Sequence, residues 1–190
     1  MQWNRSNAIG LASASCTTCH GDGIRIVHKT REAPCNCVFR SVFRACYNRF
    51  RECVALADQT KAVSLELGGG LRFGGRTYSR KREEYIADFS LVSRRVLSDS
   101  EHRIFRYFFL LGADWKLCCR QMKIDRGTFF HEVYRVEQIL GRAFAELEPY
   151  ALYPLNEYFG GVVKKEAGRS LLVHPARTRT EPRFPLPLSA

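Results

Sequence analysis

Apolar side chains recur with helical spacing in two long stretches of the chain. From Val38, the positions Phe39, Val42/Phe43, Cys46, Phe50, Cys53/Val54 and Ala57 return every three or four residues. That period predicts a helix with one apolar face. Arg40, Arg44 and Arg51 fall nearly in line on another face. The second stretch spans residues 97–141. Ser98-Asp99-Ser100-Glu101 reads as a capping box, and Ile104, Phe105, Phe108 and Leu111 form the apolar face of the helix it opens. Gly112-Ala113 ends that helix, and Asp114 is placed to cap the next. Trp115, Cys118, Cys119 and Met122 continue the pattern. After the break Lys123-Ile124-Asp125, with Asp125 as cap, a third helix turns Phe129, Val133, Val136 and Leu140 inward. Thr128, His131, Glu132, Arg135 and Gln138 then project outward together.

Between the two stretches the period weakens. Val63, Leu65, Leu67, Leu71 and Phe73 alternate with polar residues or glycine around Gly68-Gly69-Gly70 and Gly74-Gly75. A small hairpin or a flexible linker fits. No Gly-Lys-Ser/Thr follows, so this is not a phosphate loop. Beyond Gly160-Gly161, Pro175, Pro182, Pro185 and Pro187 accompany Arg177, Arg179 and Arg183. That composition buries little and reads as a disordered basic tail, either solvated or in contact with phosphates. The expected organisation is a zinc-binding module with a basic helix at 1–61 and a Gly-rich, basic linker or hairpin at 62–82. A helix-turn-helix domain at 83–160 and the tail at 161–190 follow. The fold class is mostly α.

Charge narrows the partners. The 190 residues carry a formal net charge of +11, and 45% of them are hydrophobic, enough for a folded core. Residues 25–95 hold 15 basic and 7 acidic side chains, so the excess sits in the first half and again in the tail. This favours an anionic partner, nucleic acid or an acidic surface. No apolar run approaches the roughly 18 residues needed to span a bilayer. A bacterial cytoplasm is the expected compartment, with no membrane partner. Thiols stay reduced there, and clustered cysteines then hold a metal more readily than a disulfide.

The cysteines are clustered. Cys16-Thr17-Thr18-Cys19-His20-Gly21-Asp22-Gly23 is followed by Cys35-Asn36-Cys37. Two pairs separated by a polar loop can supply four thiolates, Cys16, Cys19, Cys35 and Cys37, to one structural Zn2+ per chain. Gly21 and Gly23 suit the tight turn that brings backbone N–H groups toward sulfur. His20 or His28 replacing one thiolate is a second arrangement. The rivals are c-type haem, from Cys-x-x-Cys-His, and a dithiol redox site. Haem would leave Cys35 and Cys37 unexplained, and no thioredoxin-like strand pattern surrounds the pair. Cys46 and Cys53 lie on an apolar helix face and read as core. The unit Cys-x-x-Cys-x-Gly-x-Gly resembles a half-repeat of the cysteine-rich region of J-domain chaperones. It is also similar to a unit of lambdoid-phage Q antitermination proteins. The second pair, Cys-Asn-Cys, lacks the Gly-x-Gly of that repeat.

Two short helices joined by a tight turn, the second with a polar outer face, suit insertion into a major groove. Arg135 could reach guanine, Gln138 adenine, and Glu132 could accept from cytosine. Arg126 and Thr128, at the helix start, suit a phosphate, and His131 shares their face. Arg40, Arg44, Arg51 and the run Arg80-Lys81-Arg82 would add phosphate contacts. The segment from Leu97 to Gly112 resembles the opening of sigma-factor region 4, and Trp115 to Arg135 resembles its scaffold and recognition helices. Leu117 stands where that family usually has Glu, and Lys123 where the turn usually has Gly, so recruitment to polymerase in the sigma manner is not implied. Together the two modules resemble small phage and prophage transcription regulators, including late-gene antiterminators and activators.

The resemblance implies a sequence-specific regulator that binds double-stranded DNA and bears structural zinc. Alternatives are an adaptor that binds RNA polymerase and an RNA-binding zinc protein, for which Phe73, Tyr78 and Tyr85 would be the exposed aromatics. No enzyme is expected: His131-Glu132 opens like a zincin motif, but Arg135 occupies the position of the second histidine.

Overall fold

In the computed structural model, residues 3–27, 31–66, 73–147, 151–160, 162–166 and 169–173 are described. The periodic run after Val38 forms one long helix, α2 (Asn36–Glu66). Ahead of it lie the short helix α1 (Arg5–Ile9) and the strands β1 (Ile24–Val27) and β2 (Arg31–Pro34), which pair antiparallel from Ile24↔Pro34 to Val27↔Arg31. Next come α3 (Phe73–Val96) and α4 (Asp99–Ile104), a π-helical turn (Phe105–Leu110), α5 (Trp115–Met122), α6 (Arg126–Glu146) and α7 (Leu155–Phe159). The chain is mostly helical, with a cysteine cluster near the N-terminus followed by a helical bundle. No helix among the described residues is long and apolar enough to cross a membrane.

Two stretches read without helix carry more regular structure. Helices α2 and α3 extend into 62–82 from both sides, so Val63, Leu65, Phe73, Gly74 and Gly75 are helical. Adding a turn to an existing helix requires no new nucleus, whereas an isolated two-stranded hairpin is marginal. The glycine run at 67–72 lies outside the described residues. In the C-terminal stretch, β3 (Val162–Glu166) and β4 (Arg169–Val173) pair antiparallel. The proline- and arginine-rich sequence from 174 onward lies outside the described residues, as does His28.

The main core is built from both periodic stretches. Val42, Phe43, Cys46 and Cys53 of α2 meet Tyr85, Phe89 and Val92 of α3 and Val136, Leu140, Phe144 and Ala145 of α6. Tyr85, one of the aromatics considered for RNA, is fully buried and donates its hydroxyl to the Cys46 carbonyl. Among the described residues, the most extensive helix–helix interface joins α2 and α6. Gly141 makes it possible: a Cβ there would stand 1.8 Å from the Phe39 carbonyl oxygen. A smaller core of Ile104, Cys118, Phe129 and Val133 ties α4, α5 and α6 together, with Cys119 half-buried beside it.

The predicted face of the helix after Ser98 shifts part-way along. Ile104 and Phe105 are buried and Phe108 is half-buried, but Leu111 is 62% exposed. The cause is the π turn, closed by the Leu111 N–H donating to the Arg106 carbonyl at 2.9 Å. A widened i→i+5 turn slips the apolar pattern by a residue. Phe109 takes the inward place, its ring 5.0 Å from Phe43 and 5.3 Å from Tyr47.

Candidate metal centre and nucleic-acid interface

Local backbone geometry assembles the four cysteines. Cys16 and Cys19 lie on a tight turn in which His20 donates to the Cys16 carbonyl at 2.9 Å and Asp22 to that of Cys19 at 2.8 Å. The turn needs left-handed backbone at His20 (φ 50°) and Gly21 (φ 97°). Gly23 has φ 72° and no room for a Cβ, which would meet the Ala8 carbonyl of α1 at 2.4 Å. The β1–β2 hairpin then returns the chain, and Cys35 donates its N–H to the Gly23 carbonyl at 2.8 Å. Cys35 immediately precedes α2 and Cys37 lies in its first turn.

The result is four sulfurs within 4.8 Å of one another. Cys16 and Cys35 are 3.7 Å apart and Cys19 and Cys37 3.5 Å apart, and no disulfide joins them. A tetrahedral ion bound at the zinc–sulfur length of about 2.3 Å requires sulfur–sulfur edges of about 3.8 Å. The spacing therefore fits one metal ion and is far too long for a bond of about 2.05 Å. Without a cation, the electrostatics divide this donor set. Backbone N–H groups of Cys19 and Thr18 lower the Cys16 thiol to about 6. Burial raises Cys35, and raises Cys37 to about 12. A bound cation favours the thiolate in all of them. His20 is exposed, and the metal-competent set among the described residues is the four cysteines. Cys46 and Cys53 are core residues, as their spacing indicates.

The elements from α4 to α6 follow the sequence pattern closely. The Ser98 capping box is complete, with Ser98 N–H on the Glu101 carboxylate at 2.9 Å and Glu101 N–H on the Ser98 hydroxyl at 3.5 Å. Asp125 caps α6 by accepting from Thr128 N–H at 3.0 Å. Asp114 occupies the cap position of α5 but makes no capping hydrogen bond. Lys123 ends α5 in a left-handed conformation, φ 55° and ψ 42°. Phe129, Val133, Val136 and Leu140 are all buried.

Thr128, Glu132 and Arg135 line one open cleft of about 600 Å³ between α4, α5 and α6, together with Lys123, Arg103 and Glu101. Arg126 lies over the Trp115 ring at 5.2 Å, and His131 is exposed. Arg135 sets its Nε on Glu101 at 3.1 Å. Burial pulls the Glu101 carboxyl upward, but the Ser98 hydroxyl and N–H and the Arg135 guanidinium outweigh it, holding the group below the ordinary carboxylate range. Gln138 instead faces the cysteine cluster, lining a 330 Å³ opening with Cys16, Cys35, Cys37 and Arg40.

The other predicted basic residues sit apart from this face. Arg40 and Arg44 converge on the buried Glu137 of α6, with Nε–O distances of 2.6 and 3.3 Å, and Arg40 also stacks on Tyr134 at 4.2 Å. Arg51 is exposed. Arg80 and Lys81 pair with Glu84, and Arg82 is half-buried. Glu137 went unread in the sequence, although a visible signal existed: it falls inside the stripe Val133, Val136, Leu140. A carboxylate on an apolar face implies a buried cationic partner.

No protein family, no curated protein and no solved structure matches this chain.

Proposed function

We propose that the protein is a sequence-specific, double-stranded-DNA-binding transcription regulator of the phage or prophage type, an antiterminator or late-gene activator in a bacterial cytoplasm, with one structural zinc ion on Cys16, Cys19, Cys35 and Cys37. The observation that carries this reading is the outer face of α6. Thr128, His131, Glu132 and Arg135 project from a helix whose opposite side is anchored by Phe129 and Val133 and whose start is fixed by a tight turn from α5. A rigid helix presenting such a face suits base-edge readout in a major groove.

The Arg135 geometry supports readout in particular. Glu101 engages Nε, which leaves the two terminal nitrogens for the O6 and N7 atoms of a guanine. Holding the side chain beforehand lowers the ordering entropy of that contact. The zinc ion would fix the hairpin and the start of α2, which packs on α6.

Selection of duplexes from a random pool, followed by fluorescence anisotropy with the selected and unselected duplexes, tests the reading. Arg135→Ala is expected to cost about 1–3 kcal/mol on the selected duplex and to relax preference at one base pair. Equal binding of all duplexes by the wild type and Arg135→Ala overturns it. Exposed Leu111 and Leu117 favour a second reading, an RNA-polymerase-binding adaptor. Retention on purified polymerase after nuclease treatment, lost in Leu117→Ser, would select it.

A further inference from the structure

A second basic cluster lies beside α6, outside the cleft that holds Arg135's partner Glu101. Arg25 of β1, Asn36 and Phe39 of α2, and Gln138 and Arg142 of α6 line an open cleft of about 600 Å³, which Arg135 borders from its other side. Its two ends of chain are far apart in sequence, and the metal hairpin brings them together. Among the described residues, neither Arg25 nor Arg142 forms an ion pair, unlike Arg40, Arg44 and Arg135. The Arg25 Nε is buried with no hydrogen-bond partner. Arg142 is exposed, its guanidinium held 4.7 Å over the Phe39 ring. Glu146, one helical turn beyond, is the acid of this cleft.

We propose that this cleft binds a phosphodiester of the DNA duplex, flanking the bases that α6 reads, with Arg25 and Arg142 as its cationic contacts. The inference rests on the DNA-binding reading above and extends it to residues that reading does not use. Helix geometry supports the placement. Thr128 and Arg142 are separated by about 21 Å along the axis at 1.5 Å per residue. A major groove is about 12 Å wide, so a helix whose first turns enter it carries its later turns out over a phosphate strand. Two arginines held without carboxylate partners suit a phosphate oxygen there. The backbone N–H groups at the α2 start add partial positive charge.

The zinc-loaded full chain tests this by anisotropy titrations between about 50 and 200 mM salt, on the duplex selected from the random pool and on the unselected pool. Relative to wild type, Arg25→Gln/Arg142→Gln is expected to lower the log–log salt slope by about 1.8, and Arg142→Gln alone by about 0.9. The ratio of selected to unselected affinity stays constant. The single variant at an exposed position keeps the test available if the double variant unfolds. An unchanged slope with specific binding retained overturns the cleft alone. So does an unchanged slope with loss of zinc, which would make these arginines a charge balance for the thiolates. A wild type that binds no duplex overturns both this inference and the DNA-binding reading.

Discussion

Replacing Gly141 with alanine isolates the contact on which the bundle depends. In an ordinary helix interior the change is favourable by roughly 1 kcal/mol, because alanine loses less backbone freedom. Here the added Cβ would stand 1.8 Å from the Phe39 carbonyl oxygen, where real contacts essentially never fall below 3.0 Å. The clash is with backbone, so no rotamer relieves it, and α2 and α6 must separate locally by about 1.2 Å. Overpacking of this kind costs about 1–3 kcal/mol or somewhat more. It also stretches the Arg40–Glu137 pair, whose members lie next to Phe39 and one turn before Gly141. Set against the helical gain, a net destabilisation of about 1–2 kcal/mol is expected, a Tm fall of roughly 2–8 °C for a chain of this size. Urea denaturation followed by circular dichroism measures it, with the m-value checked for constancy. A Gly141→Ala protein as stable as wild type, or more so, would refute the claim that backbone contact at this crossing sets the helix separation.

Other outcomes follow from the same geometry. Mass spectrometry under native conditions should find one equivalent of metal per chain, and Cys19→Ser or Cys37→Ser should abolish it; retention of a full equivalent by both variants would exclude the four-sulfur site. Chelation should destabilise the hairpin and the start of α2 first, measured by hydrogen exchange of residues 16–40 against those of α6. The depressed Glu101 carboxyl contributes stability that is complete above its ordinary value of 4.5 and is lost as pH falls below it. Denaturation midpoints across the acid range should therefore drop less steeply in Glu101→Gln than in wild type. Ser98→Ala, which removes one half of the capping box, should cost about 1 kcal/mol by urea denaturation.

Periodicity was the most legible property of the chain. The inward positions of α6, the capping box at Ser98, the cap at Asp125 and the four clustered cysteines all follow from spacing and side-chain chemistry, because each depends on neighbours within a few turns. What escaped the sequence depends on long-range geometry or on a local departure from ideal helix. The π turn moved Leu111 outward and Phe109 inward, and nothing in Phe-Arg-Tyr-Phe-Phe-Leu distinguishes a widened turn from a regular one. Arg40 and Arg44 look like a solvated stripe until Glu137, more than ninety positions later, is placed beneath them. Arg25 and Arg142 lie on elements that only the fold brings to one cleft. The cysteine cluster was legible as chemistry, but its seating against the start of α2, and through α2 against α6, was not.

The distance along the chain between α2 and its partner has a consequence during synthesis. The four sulfurs close over separations of 18 and 19 residues, so the hairpin is complete soon after it leaves the ribosome. Arg40 must wait 97 residues for Glu137, about 5–20 s at ordinary translation rates. Through that interval the apolar face of α2 has no α6 to cover it. A nascent chain with its metal already bound would expose an ordered greasy ridge, a target for holding chaperones, until the last long helix emerges.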